Sequence, residues 1–584
     1  MKTNRNAYLI WKSLRNFVLA SVLTAAAAQL ASTFDAVILA QFEGEEAMSA
    51  LSLVLPVTTF ISCVGLLLAF GANALVARAI GRHDLEGASA IFSAAVCSIL
   101  TIGVGFSVLL FLSIPLIMRL ITDEPVLREL PVEYLRVYAL GAWLEMLSYA
   151  LCLFVATDGH PRRVTVAVYM GMLANIAVDI LAVGYFEWGI GGVACGTLCQ
   201  FVTNILALAL YFRQPSCSYR LVWPVRRWRL LKKNMEEGAP VTIGNILMSV
   251  TVLLIGNTCF DALGERGFFF WSVCLQMLLV SVVFVNGVME ALFAIGGVLL
   301  GEHDLEGLHL LVRRALISVG VLVCMQIAVM CVPDAVGILF GVEEASVMAD
   351  LNHAVSIFSW MLLPFALTLI LVAVYQVLEL ELLSIVCVVG QLAALIAIVW
   401  TLSVVSPGNV WYGFPLAAFL FLALQLLYSY ARSRRNSCRL SGLTLIPYSE
   451  GGHALDLSVC YHQDEVITAL RKIRAFLKDS GVDKSLAFNL EVSCEELMTN
   501  IVEHSTGRVV RHSFDVHVYA DHQKVCIAIK DAGDPFDPIS LGKKAGLPIS
   551  DYDTSNLGVR IAANLVEDIS YKYMYGLNSV LIKA

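Results

Sequence analysis

The chain has 584 residues, of which 58% are hydrophobic and 15% charged, with a formal net charge of −8. So few polar residues cannot clothe a set of water-soluble domains, and the composition points to a polytopic membrane protein. The acidic balance argues weakly against a nucleic-acid partner, and the basic residues clustered in short loops between apolar stretches read as topology signals, so none is expected. The 15 cysteines are scattered, and Cys195 and Cys199 have no second pair to complete a metal site, so they read as reduced structural thiols.

The segment from Lys2 to Arg15 leads into an apolar run that passes Ala40 without a cleavage site, which makes it a first spanning helix rather than a secretory signal. Runs long enough to cross about 30 Å of hydrocarbon lie near 16–40, 47–77, 88–118, 134–156, 164–185, 189–212, 240–262, 268–299, 310–332, 353–378, 382–404 and 410–430. With the amino terminus inside, one side collects Arg78, Arg82, Arg162, Arg163, the cluster from Arg213 to Lys233, Arg313, Arg314 and Arg432 to Arg439. The other side holds only Arg119, Arg128, Arg136 and Arg266. Excess positive charge marks the cytoplasmic face, so both termini are expected in the cytoplasm.

The array is duplicated. Gly81-Arg-His-Asp-Leu-Glu-Gly87 returns as Gly301-Glu-His-Asp-Leu-Glu-Gly307, each copy after the second span of its half. An even number of spans separates the copies, which predicts two six-helix bundles in parallel orientation: residues 1–214 and 236–435, joined by a cytoplasmic connector at 215–235. The connector, rich in Arg and Trp, is expected to meet anionic lipid headgroups.

Acidic residues inside spans are costly and are expected to face a polar cavity. Asp35 and Asp179 lie at similar depth, roughly 24–30 Å from the inner basic anchors at 1.5 Å per residue. Asn175 shares a helix face with Asp179, so an amide and a carboxylate address one point. The second bundle has Ile255, Leu395 and Val399 at the offset positions, which places coupling in the first bundle alone. Glu145 and Glu290 are further acids in spans, either lining a cavity or reaching water at a helix end.

Residues 12–431 resemble the multidrug and toxic compound extrusion (MATE) transporters. The resemblance rests on Ser-Thr-Phe-Asp35, the repeated acidic loop, Ala156-Thr-Asp-Gly-His-Pro161, and Asn175-Ile-Ala-Val-Asp179 followed by Gly189-Ile-Gly-Gly-Val-Ala. It implies a proton- or sodium-coupled antiporter in the bacterial cytoplasmic membrane, with Asp35, Asn175 and Asp179 at the coupling site and small organic substrates, cations among them.

After a linker at 436–454 the pattern becomes alternating strands and amphipathic helices. A helix near 484–504 carries Glu496, Asn500 and His504 as a polar stripe. A strand ends in Asp531-Ala-Gly533, where an Asp can accept from an adenine amino group while Gly lets the backbone turn close to the ring. Asn556-Leu-Gly558 opens a helix whose free N–H groups can hold phosphate, and Gly576-Leu-Asn578 precedes the last strand. These boxes resemble the GHKL ATPases, an α/β sandwich, and among them the anti-sigma-factor serine kinases. The resemblance implies ATP with Mg²⁺ held by Asn500, Glu496 as general base, contacts from Asp531, Gly533, Asn556, Gly558 and Asn578, a lid over 539–556, and a STAS-domain protein as phosphoacceptor. The glycine box has one glycine where many relatives have two. No phosphoacceptor His box precedes the domain. A receptor that controls the kinase-like domain without net transport is the alternative function the same residues allow.

Overall fold

The computed structural model describes residues 8–43, 45–82, 84–121, 129–214, 217–223, 227–340, 342, 344–436, 440–448, 452–504, 513–521, 524–535, 565–566 and 568–584. The first half of the array consists of α1 (Tyr8–Phe42), α2 (Glu45–Gly81), α3 (Leu85–Ile121), α4 (Glu129–Thr157), α5 (Pro161–Gly184) and α6 (Gly189–Ala209). The second half consists of α7 (Arg227–Ala291), α8 (Gly297–Gly301), α9 (Leu305–Met330), α10 (Ala335–Leu339), α11 (Ala345–Val377), α12 (Glu381–Val405) and α13 (Gly413–Arg435). Among the described residues, 11 helices are long and apolar enough to cross a membrane, and one of them runs 73 residues from Arg229 to Gly301. That helix breaks at Gly264, whose φ of 68° and ψ of −154° suit only a residue without Cβ, so it makes two crossings. Large apolar side chains such as Leu112, Leu206, Leu253 and Leu382 stand exposed around the wall, as a surface in hydrocarbon requires.

The repeated motif has a local cause. Asp84 and Asp304 cap the amino termini of α3 and α9, each accepting the N–H three residues on, Gly87 or Gly307, at 2.7 Å. At the neighbouring turn the two halves meet through equivalent residues: a Cβ on Gly301 would lie 2.8 Å from the Gly81 Cα and 2.5 Å from the Arg78 carbonyl oxygen. Contact between repeat-equivalent glycines puts a pseudo-two-fold axis between the halves, along the membrane normal. Arg78 seals this end, pairing with Glu237 and, through Nε at 3.1 Å, with Glu379.

The connector is anchored at one residue. Tyr219 is fully buried beside Phe92 and Phe154 and donates its hydroxyl to the Phe154 carbonyl.

The carboxyl-terminal region is a five-stranded antiparallel sheet in the order β1-β2-β3-β5-β4. Its strands are β1 (His453–Cys460), β2 (Ser513–Ala520), β3 (Val525–Asp531), β4 (Asp568–Met574) and β5 (Leu577–Lys583), with α14 (Gln463–Asp479) and α15 (Lys484–His504) on one face. That front face packs Val516, Val518, Ile527, Ile529, Val580 and Ile582 against Leu470, Ile473, Leu497 and Met498. Helices near 464–479 and 484–504 were legible in the amphipathic pattern and coincide with α14 and α15.

Gly301→Val places a side chain against backbone atoms that cannot retreat. We expect it to destabilise the fold by about 1–3 kcal/mol, read as a lower melting midpoint in detergent; an unchanged midpoint would mean the halves do not meet at this glycine.

Candidate coupling, cavity and nucleotide sites

Asp35 of α1 faces Asp179 and Asn175 of α5. Asn175 and Asp179 are fully buried. Both Asp179 oxygens, both Asn175 amide atoms and Asp35 Oδ1 are shielded from solvent and have no hydrogen-bond partner among the described residues. α6 reaches this cluster through Gly196, where a Cβ would stand 1.8 Å from Asp179 Oδ1 and 3.2 Å from Asn175 Nδ2. The glycine is therefore a space requirement of the carboxylate. Two acids and an amide with unused acceptors suit a proton or a small cation, either of which removes the repulsion between two carboxylates. At the offset positions of the second half, Ile255, Leu395 and Val399 are buried apolar residues.

Between the halves lies a cavity of about 490 Å³, mainly apolar, with Phe70, Tyr149 and Phe365 on its walls and Ser62, Asn245, Asn286 and Gln391 among its polar groups. Glu145 and Glu290 both line it, which resolves their two sequence readings in favour of the cavity. Glu145 is held by the Ser62 and Tyr138 hydroxyls. Tyr138 stacks on Tyr134 with ring centroids 5.8 Å apart. Tyr134 lies within electrostatic reach of Asp35, Asp179 and Glu145, so two tyrosines link the carboxylate pair to the cavity wall.

In the sheet domain, the β3–β5 register sets Asp531 opposite Asn578. Asp531 Oδ1 accepts the Gly533 N–H at 2.7 Å and Asn578 Nδ2 at 3.1 Å. Both bonds end on Oδ1, which leaves Oδ2 to accept from an amino group such as that of adenine. Asn578 also donates to the Asp534 carbonyl at 3.1 Å and accepts the Tyr571 hydroxyl at 2.7 Å, so it positions the loop. Burial pushes the Asp531 carboxyl above its ordinary range, only partly countered by Gly533, Asn578 and Lys12. Asp531 continues the front-facing row of Ile527 and Ile529, and α15 covers that same face with Asn500 buried and Glu496 half-buried one turn apart. Asn556, Gly558 and the expected lid at 539–556 lie outside the described residues.

The opposite face of the sheet meets the basic end of the helical array. Lys572 Nζ donates to Asp158 Oδ1 at 2.6 Å, and Lys530 pairs with Glu302. The Tyr575 hydroxyl donates to the Thr157 carbonyl at 2.5 Å. Gly159, with φ +94°, allows the approach, since its Cβ would lie 2.7 Å from the Met574 Cα. Burial pushes Asp158 up, but Lys572 together with hydroxyls from Ser218 and Tyr211 outweighs it and holds the carboxyl below its usual range. From α1, Lys12 Nζ donates to the Ala532 carbonyl at 3.0 Å, beside Asp531. Sequence reasoning missed this docking. The signals were alternate polar residues in strands, which read equally well as a solvated face, and the one mismatch in the repeated motif, Arg82 against Glu302.

Residues 20–181 match the MatE family model, and residues 462–583 match the histidine kinase-like ATPase domain. The chain joins a MATE-family domain to a kinase-like ATPase domain. The multidrug export protein MepA of Staphylococcus saprophyticus is 24% identical over 254 residues, 43% of this chain and 56% of that protein. MepA of Staphylococcus aureus is 22% identical over 253 residues, 42% and 55% of the respective chains. This chain thus spans about half the length of the curated relatives it matches. A MOP-superfamily transporter from Pyrococcus furiosus superposes with a TM-score of 0.67 at 20% identity, over 76% of this chain and 100% of that one. A multidrug resistance MATE transporter in an outward-facing conformation gives 0.67 at 20% identity, over 75% and 99%. These likenesses establish the fold of a multi-pass membrane protein.

Gly196→Ala puts a methyl group where Asp179 Oδ1 lies. We expect it to displace the carboxylate and impair any activity that depends on Asp179 about as severely as Asp179→Asn, while the larger cavity, lined by neither residue, keeps its ligand affinity. Equal activity of Gly196→Ala and wild type would remove α6 from the site.

Proposed function

We propose that the helical array is a proton- or sodium-coupled antiporter for small organic substrates, cations among them, and that the ATPase-like domain regulates it from the cytoplasm. The observation that carries this reading is the buried Asp35–Asp179–Asn175 cluster with unused acceptors, joined by Tyr134 and Tyr138 to a cavity that presents two glutamates. An apolar cavity with aromatic walls and two acids fits an amphiphilic cation. Loading the Asp35–Asp179 pair changes the charge that α1 and α5 hold against each other, and a cavity shared by two halves can then exchange access by rocking about their common axis. The basic end is the cytoplasmic one in this reading, in a bacterial plasma membrane, which places both termini and the sheet domain with the cellular nucleotide pool. The division at 1–214, 215–235, 236–435, 436–454 and 455–584 follows the same scheme.

In the tail, Asp531 Oδ2 accepts from the adenine amino group, Gly533 lets the backbone approach the ring, and Asn578 positions both. Asn500 holds Mg²⁺ through its amide oxygen, and Asn556 with Gly558 contacts phosphate. Glu496 takes the proton of an attacking serine or threonine hydroxyl. A STAS-domain protein is the partner that suits such a kinase. The MepA relatives are multidrug export proteins by name, which supports the substrate class proposed here.

In proteoliposomes of the full-length protein, Asp179→Asn is expected to abolish gradient-driven efflux of an organic cation while insertion and substrate affinity persist. Undiminished efflux in that variant would discard the coupling site. Mg-ATP binding to the full-length protein should fall about 10-fold or more in Asp531→Ala, the loss expected for a buried acceptor. It should also weaken on acidification from a higher pH than an ordinary aspartate would give: the ionised acceptor is present above the raised pKa of Asp531 and lost below it. Binding that is flat through the mildly acid range would separate Asp531 from the adenine.

A further inference from the structure

A sheet with one solvated face carries polar residues there, yet β2, β3 and nearly all of β5 are buried on both faces. The polar row of the back face is matched to the basic end of the transporter, one partner at a time, and the partners come from both halves. From the first half, Asp158 receives Lys572 at 2.6 Å and the Arg82 carbonyl receives Lys583. From the second, Glu302 receives Lys530, His303 Nε2 lies 2.8 Å from Lys524 Nζ, and the His303 ring stacks on Tyr519 with centroids 4.6 Å apart. The one position at which the repeated motif differs, Arg82 against Glu302, is also where Lys583 and Lys530 attach. Directly beneath, the halves are closed on each other by Gly81 against Gly301 and by Arg78 with Glu237 and Glu379.

We propose that the back face of the sheet is a latch for the closed cytoplasmic end of the transporter. Opening that end moves Asp158 and Glu302 apart, whereas Lys572 and Lys530 sit in one hydrogen-bonded sheet whose strand spacing is fixed. The docked domain therefore binds the inward-closed state in preference to the inward-open one, and a ligand or partner that favours the undocked domain releases transport by the same differential affinity. The nucleotide loop takes part in the docked contact through Lys12 and Ala532. The proposal deepens the regulatory role given to the domain above and rests on that transport reading.

The test uses hydrogen exchange and flux on the full-length protein in lipid. Lys530→Glu sets two carboxylates together in a buried site, and Lys530→Gln removes the charge without reversing it. Exchange is read over 513–520, which reports docking, and over 229–242, which touches Leu67, Gly71 and Arg78 of the first half and so reports the closed end. Lys530→Glu is expected to raise exchange several-fold in both segments and to raise gradient-driven flux several-fold, with Lys530→Gln acting in the same direction by less. Adding Glu302→Lys to Lys530→Glu should return all three towards wild type. Exchange that rises at 513–520 while 229–242 and flux stay at wild-type values would overturn the latch, and so would exchange at 513–520 that ignores both substitutions. If 229–242 responds but no form of the protein shows flux, the latch stands and the transport reading fails.

Discussion

The two-residue repeat of a β-strand is the constraint on which this molecule turns. Lys530 and Asp531 are neighbours in β3, and the pleat sends them to opposite faces: Lys530 back to Glu302 and Asp531 forward to Asn578 and the loop at Gly533. The same alternation sends Lys572 back to Asp158 and Tyr571 forward to Asn578. A slip of one residue in register would exchange the two sets, burying lysines against α14 and α15 and turning Asp531 and its loop towards the helical array. The apolar front row and the charged back row therefore fix one another, and the two functions of the sheet are separated by the thickness of a single strand.

Within the membrane the two halves have kept different parts of their common ancestor pattern. Both retain the capping aspartates and the glycines that meet on the pseudo-two-fold axis, because those set the packing of α2, α3, α8 and α9. The first half carries the half-buried Asp35 and the buried Asn175 and Asp179, and at the offset positions the second half has Ile255, Leu395 and Val399. An ionised acid in hydrocarbon costs about 2.5–3.5 kcal/mol on insertion scales, so the apolar residues are the default and the carboxylate pair stands out against it. The asymmetry extends to the docked domain, which grips Asp158 and the Arg82 and Thr157 carbonyls on the first half and Glu302 and His303 on the second.

Much of this was legible in the sequence. Long apolar runs gave the spans because a membrane helix needs only length and hydropathy, and the repeat gave the two halves. Asp35, Asn175 and Asp179 were brought together as their depth and spacing implied, and Asp531 stands at the strand end that the motif required. The break at Gly264 falls in the interval between the runs at 240–262 and 268–299. Two features were not legible. The Tyr134–Tyr138–Glu145 chain depends on where α4 is rotated relative to α2, which composition does not encode. Docking was the more deeply hidden, since Lys530, Lys572 and Lys583 look like any polar row facing water until the partner surface is in place.

Helix α1 joins the two ends of the proposed coupling. It carries Asp35 at one end and Lys12 at the other, about 35 Å apart at 1.5 Å per residue, and Phe17 and Tyr575 pack at 5.8 Å where it passes the β4–β5 hairpin. In the proposed coupling, a movement of α1 driven at the carboxylate pair would be carried along the helix to Lys12 and the Ala532 carbonyl it contacts. Within that proposed coupling, linkage makes the influence mutual: whatever factor nucleotide binding contributes to cation affinity, cation loading contributes to nucleotide affinity in equal measure. In the proposed latch, regulation needs no phosphate transfer to the helical array, only a difference in affinity between its closed and open states, and that difference would rest on the pairs at Glu302 and Asp158, whose separation leaves buried charge uncompensated.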